Sequence, residues 1–225
     1  MSKVNLIAVS KPDTSYTGCD TAEQLVAYSA RVSNPANQNN QQTAGKLVRY
    51  LIRENHWSPL EMVHMTLEIK TTRDISRQII RHRSFSFQEF SQRYADPSAQ
   101  GYPFQLREAR TQDSKNRQNS IVTEDKLLAE HWVQQQKKVI DAAQNAYDWA
   151  IDNGVAKEQA RAVLPEGNTD TTLYMGGTLR SWIHYCDLRR ANGTQAEHMV
   201  VAEQCWGIIK EQFPDIAAAV DGLSE

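Results

Sequence analysis

The chain has 225 residues, of which 40% are hydrophobic and 23% charged. This composition excludes a disordered chain and is sufficient for a buried core. A formal net charge of −2 gives no overall attraction to nucleic acid or anionic membranes, so an anion site must be local. The chain lacks a run of about 18 apolar residues, and the first apolar run is too short for a signal peptide. We therefore expect a cytoplasmic protein that does not bind membranes.

Cysteines and histidines give no indication of a metal. The chain has three cysteines, Cys19, Cys186 and Cys205. They form no CxxC pair, and the six histidines show no HExxH spacing, so we predict reduced structural thiols and no metal site. His64, His131 and His198 are expected to be buried and structural. No GxGxxG or P-loop motif is present.

The first predicted elements are a strand and a helix. Asn5 to Val9 is a short apolar run typical of a strand. Asp20, followed by Glu23, resembles a capping box and predicts a helix to about Ser33. Residues 34–42 are almost wholly polar, which indicates a loop.

The next segments alternate between helical and strand spacing. Thr43 is placed to cap a helix that Asn55 ends. Apolar residues at every second position predict a half-buried strand from Met62 to Ile69. Arg73 to His82 returns to helical spacing, with Arg77 and Arg81 on one face. Because two like charges so placed repel each other, we expect a bound anion beside them.

The second half is predicted to be mainly helical. Pro97 to Ser120 is polar and indicates a loop or lid. Thr123 is the expected cap of the longest helix, which runs to about Asp152 and stops at Asn153-Gly154. One apolar stripe on this helix is expected to face the core or a subunit interface; it comprises Leu128, Trp132, Val139, Ala143 and Tyr147.

Three further helices complete the prediction. One ends near Leu164, before Pro165, and the others cover roughly Gly177 to Asp187 and Gln195 to Phe213. Strands are thus early and helices late, with no βαβ alternation. This order predicts an α+β fold, a mostly antiparallel sheet packed with helices, in one domain spanning residues 1–225.

The segment Arg77 to Tyr94 carries the most unusual chemistry. It contains four arginines, one histidine, several hydroxyls and interleaved aromatics, against one acidic residue. Guanidinium groups suit phosphate oxygens, and phenylalanine faces stack on heterocycles, as in a nucleotide pocket. A solvated basic helix followed by a core strand is equally compatible with this composition. Single-stranded nucleic acid is a further alternative, which the absence of lysine and the acidic whole disfavour.

Spacing decides between these alternatives. Arg81-His82-Arg83, then seven residues, then Ser91, with Glu89, Arg93 and Tyr94 in register, resembles the signature of the flavin-dependent thymidylate synthases. Further segments that resemble the family, in the same order, are residues 30–33, 56–61, 161–165 and 188–189. The resemblance covers about Ala30 to Glu203 and is poorest from Pro97 to Ser120.

The resemblance implies an activity and an assembly. Members convert dUMP to dTMP with a methylene group from 5,10-methylenetetrahydrofolate, and FAD reduced by NADPH supplies the hydride. They are homotetramers whose active sites lie at subunit junctions. A flavoprotein reductase of the same fold and a single-stranded nucleic-acid-binding module remain the alternative functions.

The resemblance also assigns residues by position. The FAD site matches Ser58, Arg81, His82, Arg83, Glu89, Thr178, Leu179, Arg180 and His184. The dUMP site matches Gln78, Ile79, Ile80, Arg81, Glu89, Phe90, Ser91, Gln92, Arg93, Arg161 and Arg189. His56 matches a position on the flavin and folate side, so we assign it to substrate binding. Gly193 stands where some members carry a flavin-contacting histidine, and position 184 is also variable.

The residue types fit this chemistry independently. Ser91, Arg93 and Arg161 can hold a phosphate through charge-assisted hydrogen bonds. No cysteine follows a proline here, so the thiol nucleophile of the other thymidylate synthases is not indicated. Arg189, permanently cationic, is the expected catalytic residue, because it can stabilise negative charge developing on the uracil. Ser91 has no evident base partner and is assigned to binding.

Overall fold

The computed structural model describes residues 2–96 and 104–223. The strands are β1 (Lys3–Val9), β2 (His64–Thr72), β3 (Phe85–Glu89), β4 (Arg110–Gln112), β5 (Ser120–Val122) and β6 (Asp170–Thr178). The helices are α1 (Thr14–Thr17), α2 (Ala22–Ala30), α3 (Ala44–Arg53), α4 (Arg73–Ile79), α5 (Lys126–Asp152), α6 (Lys157–Ala160), α7 (Leu179–Arg190), α8 (Ala196–Gln212) and α9 (Pro214–Asp221). Short 3-10 turns cover Arg31–Ser33, Pro35–Asn37, Ser58–Met62 and Arg161–Val163.

The main sheet is antiparallel throughout, in the order β1-β2-β6-β3. This arrangement confirms the mixed helix and antiparallel sheet prediction. The predicted succession of early strands and late helices was wrong, because β6 comes late in the chain and inserts between β2 and β3. Two adjacent glycines, Gly176 and Gly177, interrupt its apolar alternation, so the sequence pattern did not indicate a strand there. The helix expected from Gly177 begins instead at Leu179.

The alternation predicted for β2 is confirmed. Val63, Met65, Leu67 and Ile69 are all buried on one face, where they meet the helical layer. Trp182 of α7 is fully buried there, and its Nε1 donates to the Met65 carbonyl at 2.9 Å. The face of β2 therefore fixes α7 against the sheet.

Two predicted caps were displaced along the chain. The capping box of α2 uses Thr21 and Gln24 rather than Asp20 and Glu23, and the α-helix ends at Ala30. Asp125, not Thr123, caps α5 by accepting from the Leu128 amide at 3.0 Å. In both cases several capping residues are adjacent, and only the backbone decides which one caps.

Thr43 occupies the N-cap position of α3 as predicted, but its hydroxyl accepts from Arg31 Nη2 at 2.8 Å and does not cap the helix. Asn55 follows α3 with a φ of 58°, the left-handed conformation expected of a helix stop. Gly154 has a φ of 75° after α5, which confirms the second predicted stop. These stops fix where the chain leaves α3, just before His56, and where it leaves α5.

The helix predicted from Arg73 to His82 is shorter. Since α4 ends at Ile79, Arg81 lies in the following turn and does not share a helical face with Arg77. The i, i+4 pair on the helix is Arg73 and Arg77. The prediction that Arg77 and Arg81 share a helical face was therefore wrong.

The apolar stripe of α5 divides into two parts. Ala143 and Tyr147 are buried, and Tyr147 packs with Ala150, Ala160 and Leu164 in a second core. In contrast, Leu128, Trp132 and Val139 are 44%, 42% and 54% exposed in the single chain.

The predicted Pro97–Ser120 loop is part hairpin. β4 and β5 pair with Arg110 opposite Val122. Residues 97–103 lie outside the described ranges. The three cysteines are free and buried as predicted, but among the three histidines expected to be buried only His198 is; His64 and His131 are exposed.

One close approach in the sheet gives a stability prediction. A Cβ at Gly177 would lie 2.4 Å from Cδ1 of Phe85, whose ring packs against Trp182 at 4.8 Å. We expect Gly177→Ala to lower the free energy of unfolding by about 1–3 kcal/mol through overpacking. Urea denaturation measures the change.

Gly167→Ala is the matched control, because its Cβ would meet no atom within 4 Å. We expect a change within about 0.5 kcal/mol. Equal stability of the two variants would contradict the overpacking.

Candidate active site

The first group of predicted residues lies between α4, α7 and α8. Arg189 Nε donates a hydrogen bond to His82 Nε2 at 2.9 Å. Arginine has no acceptor, so His82 must accept at Nε2 and carry its proton on Nδ1. Burial, together with the Arg189 charge, lowers the pKa of His82 to about 4, so the ring is neutral at pH 7. His82 also contacts the Tyr185 ring edge to face, at 4.9 Å between centroids.

Gln78 joins this group through a chain of amides. Its Nε2 donates to Gln195 Oε1 at 2.7 Å, and Gln195 Nε2 donates to Glu197 Oε2 at 2.9 Å. Oε1 of Glu197 accepts from Arg110 and lies 3.4 Å from Arg107 Nη1. Burial alone would raise the pKa of Glu197, but Gln195 and the two arginines outweigh it and lower that pKa. Glu197 is therefore a fixed anion at the end of the chain.

The second group surrounds a cavity of about 350 Å³. Its lining includes Arg73, Arg77, Gln92, Glu158, Arg161 and Glu166. Arg77 pairs with Glu166 at 3.3 Å, and Arg93 with Glu158 at 3.6 Å. Arg161 Nε donates to the Glu158 carbonyl at 3.4 Å. The structure thus brings together Gln92, Arg93 and Arg161 from distant parts of the chain.

Arg73 is a cavity residue that the sequence analysis missed. It is 7% exposed, and within residues 2–96 and 104–223 its Nη1 has no hydrogen-bond partner. Burial lowers its pKa, although Glu89, whose carboxylate lies 3.8 Å away, opposes that shift. Its spacing of four from Arg77 was the available signal. The cavity therefore presents cationic groups that its two carboxylates do not fully compensate.

Glu89 is held at the end of β3. Its Oε1 accepts from Ser76 Oγ and from Thr171 Oγ1, both at 2.9 Å. Beyond β3, the Phe90 amide donates to the Thr172 carbonyl at 2.9 Å, and the Arg93 amide to Ser91 Oγ at 3.4 Å. The strand thus fixes where the Ser91 turn begins.

The third group lies between the Ser58–Met62 turn and the start of α7. Arg180 Nη1 donates to Glu61 Oε1, and His184 contacts Trp57 edge to face at 4.8 Å. Thr178 caps α7 by accepting from the Ser181 amide at 3.2 Å. Leu179 is fully buried and its amide donates to the Val63 carbonyl, so its side chain and its amide are not open to a ligand. Ile79 is also fully buried, and Ile80 is half-buried.

Other predicted residues stand apart from these three groups in the single chain. Arg81 and Arg83 are exposed in the turn before β3. His56 is exposed at the edge of a separate cavity of about 560 Å³, where it contacts Tyr50 edge to face at 6.0 Å. Gly193 has a φ of 92°, which a side chain at this position would strain.

Membrane-spanning helices and metal-binding clusters are both absent from residues 2–96 and 104–223. No helix there is long and apolar enough to cross a membrane. The same ranges contain no cluster of three or more His, Cys, Asp or Glu residues that could hold a metal ion.

The chain resembles known proteins over nearly its whole length. The family model described as "Thymidylate synthase complementing protein" matches residues 14–215. A probable flavin-dependent thymidylate synthase of Paramecium bursaria Chlorella virus 1 is 50% identical over 216 residues, covering 96% of this chain and 97% of the relative. The flavin-dependent thymidylate synthase of Synechocystis sp. is 46% identical over 219 residues, covering 97% and 99%.

Solved structures agree with these sequence matches. A UMP/dUMP methylase, PolB, from Streptomyces cacaoi, bound with 5-Br dUMP, has a TM-score of 0.80 and 26% identity, covering 99% of this chain and 95% of that chain. The same methylase bound with 5-Br UMP gives a TM-score of 0.79. On the family match and these identities, the chain belongs to the thymidylate synthase complementing proteins, the family of flavin-dependent thymidylate synthases.

Proposed function

We propose that the protein is an FAD-dependent thymidylate synthase that reductively methylates dUMP to dTMP. The methylene group comes from 5,10-methylenetetrahydrofolate and the reducing equivalents from NADPH. The observation that carries the proposal is the Arg189–His82 pair, in which a neutral imidazole orients a guanidinium. Family membership supports the same activity.

The nucleotide phosphate binds at the arginine cavity of the second group. A phosphate brings nearly two negative charges, and the cavity offers Arg161 together with the neighbouring Arg93 and Ser91 turn. Because Arg93 and Arg161 both contact Glu158, binding exchanges part of these contacts for charge-assisted bonds to phosphate. Gln78, Glu89 and Gln92 bind other parts of the nucleotide.

Arg189 acts on the uracil. Without a thiol nucleophile, the ring must become electron-rich through stabilisation of the charge that develops as the N3 proton is lost. Arginine stays protonated at any working pH, so Arg189 supplies a fixed positive charge and does not abstract the proton. The hydrogen bond from Arg189 Nε to His82 Nε2, at 2.9 Å, restricts the guanidinium. Its two terminal nitrogens are left for the uracil.

The residues at the third group and in the turn before β3 suit FAD. Arg81, Arg83 and Arg180 provide cations for a diphosphate, Ser58 and Thr178 provide hydroxyls, and His184 with Trp57 provides an aromatic surface. Arg81 and Arg83 are exposed and so can turn toward a ligand. When bound, reduced FAD supplies the hydride that completes the methyl group. His56 lies on the folate side, at the edge of its own cavity.

The active assembly that we propose is a homotetramer with sites at subunit junctions. Two features support it: Leu128, Trp132 and Val139 leave an apolar stripe of α5 exposed in one chain, and the predicted site residues fall into separate groups. We also propose that the chain acts as one domain in the cytoplasm.

Thymidylate formation tests the activity directly. The purified protein, stripped of bound flavin, should form dTMP from dUMP only when 5,10-methylenetetrahydrofolate, NADPH and FAD are all supplied. Leaving out each component in turn, with product measured by chromatography, checks the requirement. Flavin reduction without dTMP would instead favour a reductase of the same fold, and a colourless protein that binds oligonucleotides would favour the nucleic-acid module.

Arg189→Ala should lower dTMP formation by about 100-fold or more, because a charge aimed at the developing anion is lost. The flavin absorbance of the variant should remain. Arg49→Ala is the matched control, since Arg49 is an exposed arginine on α3 that pairs with Asp215. Turnover of Arg189→Ala equal to the control would refute the electrostatic role.

Ser91→Ala tests the choice between binding and nucleophilic attack. Loss of one hydrogen bond should raise the Kd for dUMP by about 5- to 15-fold and leave turnover at saturating nucleotide measurable. Affinity for deoxyuridine, which lacks the phosphate, should not change. Complete loss of turnover at saturating dUMP would restore Ser91 as a nucleophile.

A further inference from the structure

We infer that His198 is a positioning residue of the active site, whose Nδ1–H, together with the Gln195 carbonyl, holds the Gln78 amide in one orientation for the nucleotide. The inference rests on the proposed function, because it gives Gln78 a nucleotide to bind. The sequence pattern alone gave His198 only a structural role. It lies on α8 and is fully buried.

Both ring nitrogens of His198 have partners. Nε2 lies 3.1 Å from the Tyr185 hydroxyl, and Nδ1 lies 3.2 Å from Gln78 Oε1. Burial, and then the Arg189 and His82 neighbours, lower the pKa of His198 to about 3. The ring is therefore neutral at pH 7 and carries one N–H, so only one of its two contacts can be a donation.

The direction of these bonds is set at the far end of the chain of amides. The ionised carboxylate of Glu197 can only accept, and Arg107 and Arg110 hold it in place. Gln195 must therefore turn its NH₂ group toward Glu197 and its carbonyl toward Gln78. Reversing this amide would put two oxygens against each other.

The same logic passes through Gln78 to the histidine. Because the Gln195 carbonyl accepts, Gln78 presents its NH₂ group there and its Oε1 to His198. Nδ1 must then carry the proton, and the Tyr185 hydroxyl must donate to Nε2. Within the described ranges, the second N–H and the second lone pair of the Gln78 amide have no protein partner and are available to a ligand. The positions of this donor and this acceptor relative to the bound nucleotide are therefore fixed.

Two substitutions separate this role from packing. His198→Asn keeps a donor near Nδ1 and loses the partner of Tyr185. His198→Gln reaches the Nε2 position, keeps a partner for Tyr185 and loses the donor to Gln78. Both replace a buried ring by one amide, so a purely structural role predicts similar losses of melting temperature and similar dUMP affinity.

The positioning role predicts different affinities. His198→Gln should raise the Kd for dUMP, measured by calorimetry, by about 5- to 15-fold, and His198→Asn by much less. In a Gln78→Ala background the difference between the two should vanish. Equal Kd values for the two variants in the parent background would overturn the inference.

A measurement on the unmodified protein keeps the test decisive if the variants fail to fold. Nitrogen-15 NMR of the imidazole should show His198 protonated at Nδ1 and not at Nε2. The opposite tautomer would overturn the inference whether or not the protein makes dTMP. Absence of dTMP with the expected tautomer and the expected Kd difference would refute only the proposed reaction.

Discussion

The antiparallel pairing of β6 with both β2 and β3 is the constraint on which the rest of the structure depends. β2 leads directly into α4, and β6 leads directly into α7. Because the two strands run in opposite directions, these helices leave opposite ends of the sheet. α4 carries Arg73, Arg77 and Gln78, while α7 starts after its N-cap Thr178 and carries Arg189 in its last turn.

The arginines fall into two groups, according to whether neighbouring carboxylates compensate their charge. Arg107 and Arg110 are mostly buried and meet Glu197, and Arg107 also meets Asp74 at 2.7 Å. They stabilise the scaffold, because a buried cation needs an anion and hydrogen bonds. In contrast, Arg189 bonds to a neutral ring, and Arg73 Nη1, 3.8 Å from the Glu89 carboxylate, makes no hydrogen bond within the described ranges. Cations left without full compensation are the ones suited to an incoming anionic substrate.

Local pattern was sufficient for part of this structure. The alternation before Ile69 gave β2, and the spacing from Arg81 to Tyr94 gave the family and most of the candidate residues. β6 could not be found this way, since its glycines break the alternation and its pairing partners lie 98–114 positions away in β2 and 84–92 positions away in β3. Arg73 was missed, and His198 was given only a structural role, because the contacts of both residues depend on burial and on partners from other elements. No local pattern encodes which ring nitrogen carries a proton.

Because the two buried imidazoles stay neutral in the folded chain, the protein loses stability in acid. His82 and His198 have pKa values of about 4 and about 3 in the folded chain, against an ordinary value of 6.5. Between pH 6.5 and these folded pKa values, both histidines bind protons in the unfolded chain but not in the folded chain. The free energy of unfolding is therefore not reduced by them above pH 6.5 and falls as the pH drops below it. The cluster that orients Arg189 and Gln78 is thus also an acid-sensitive part of the fold.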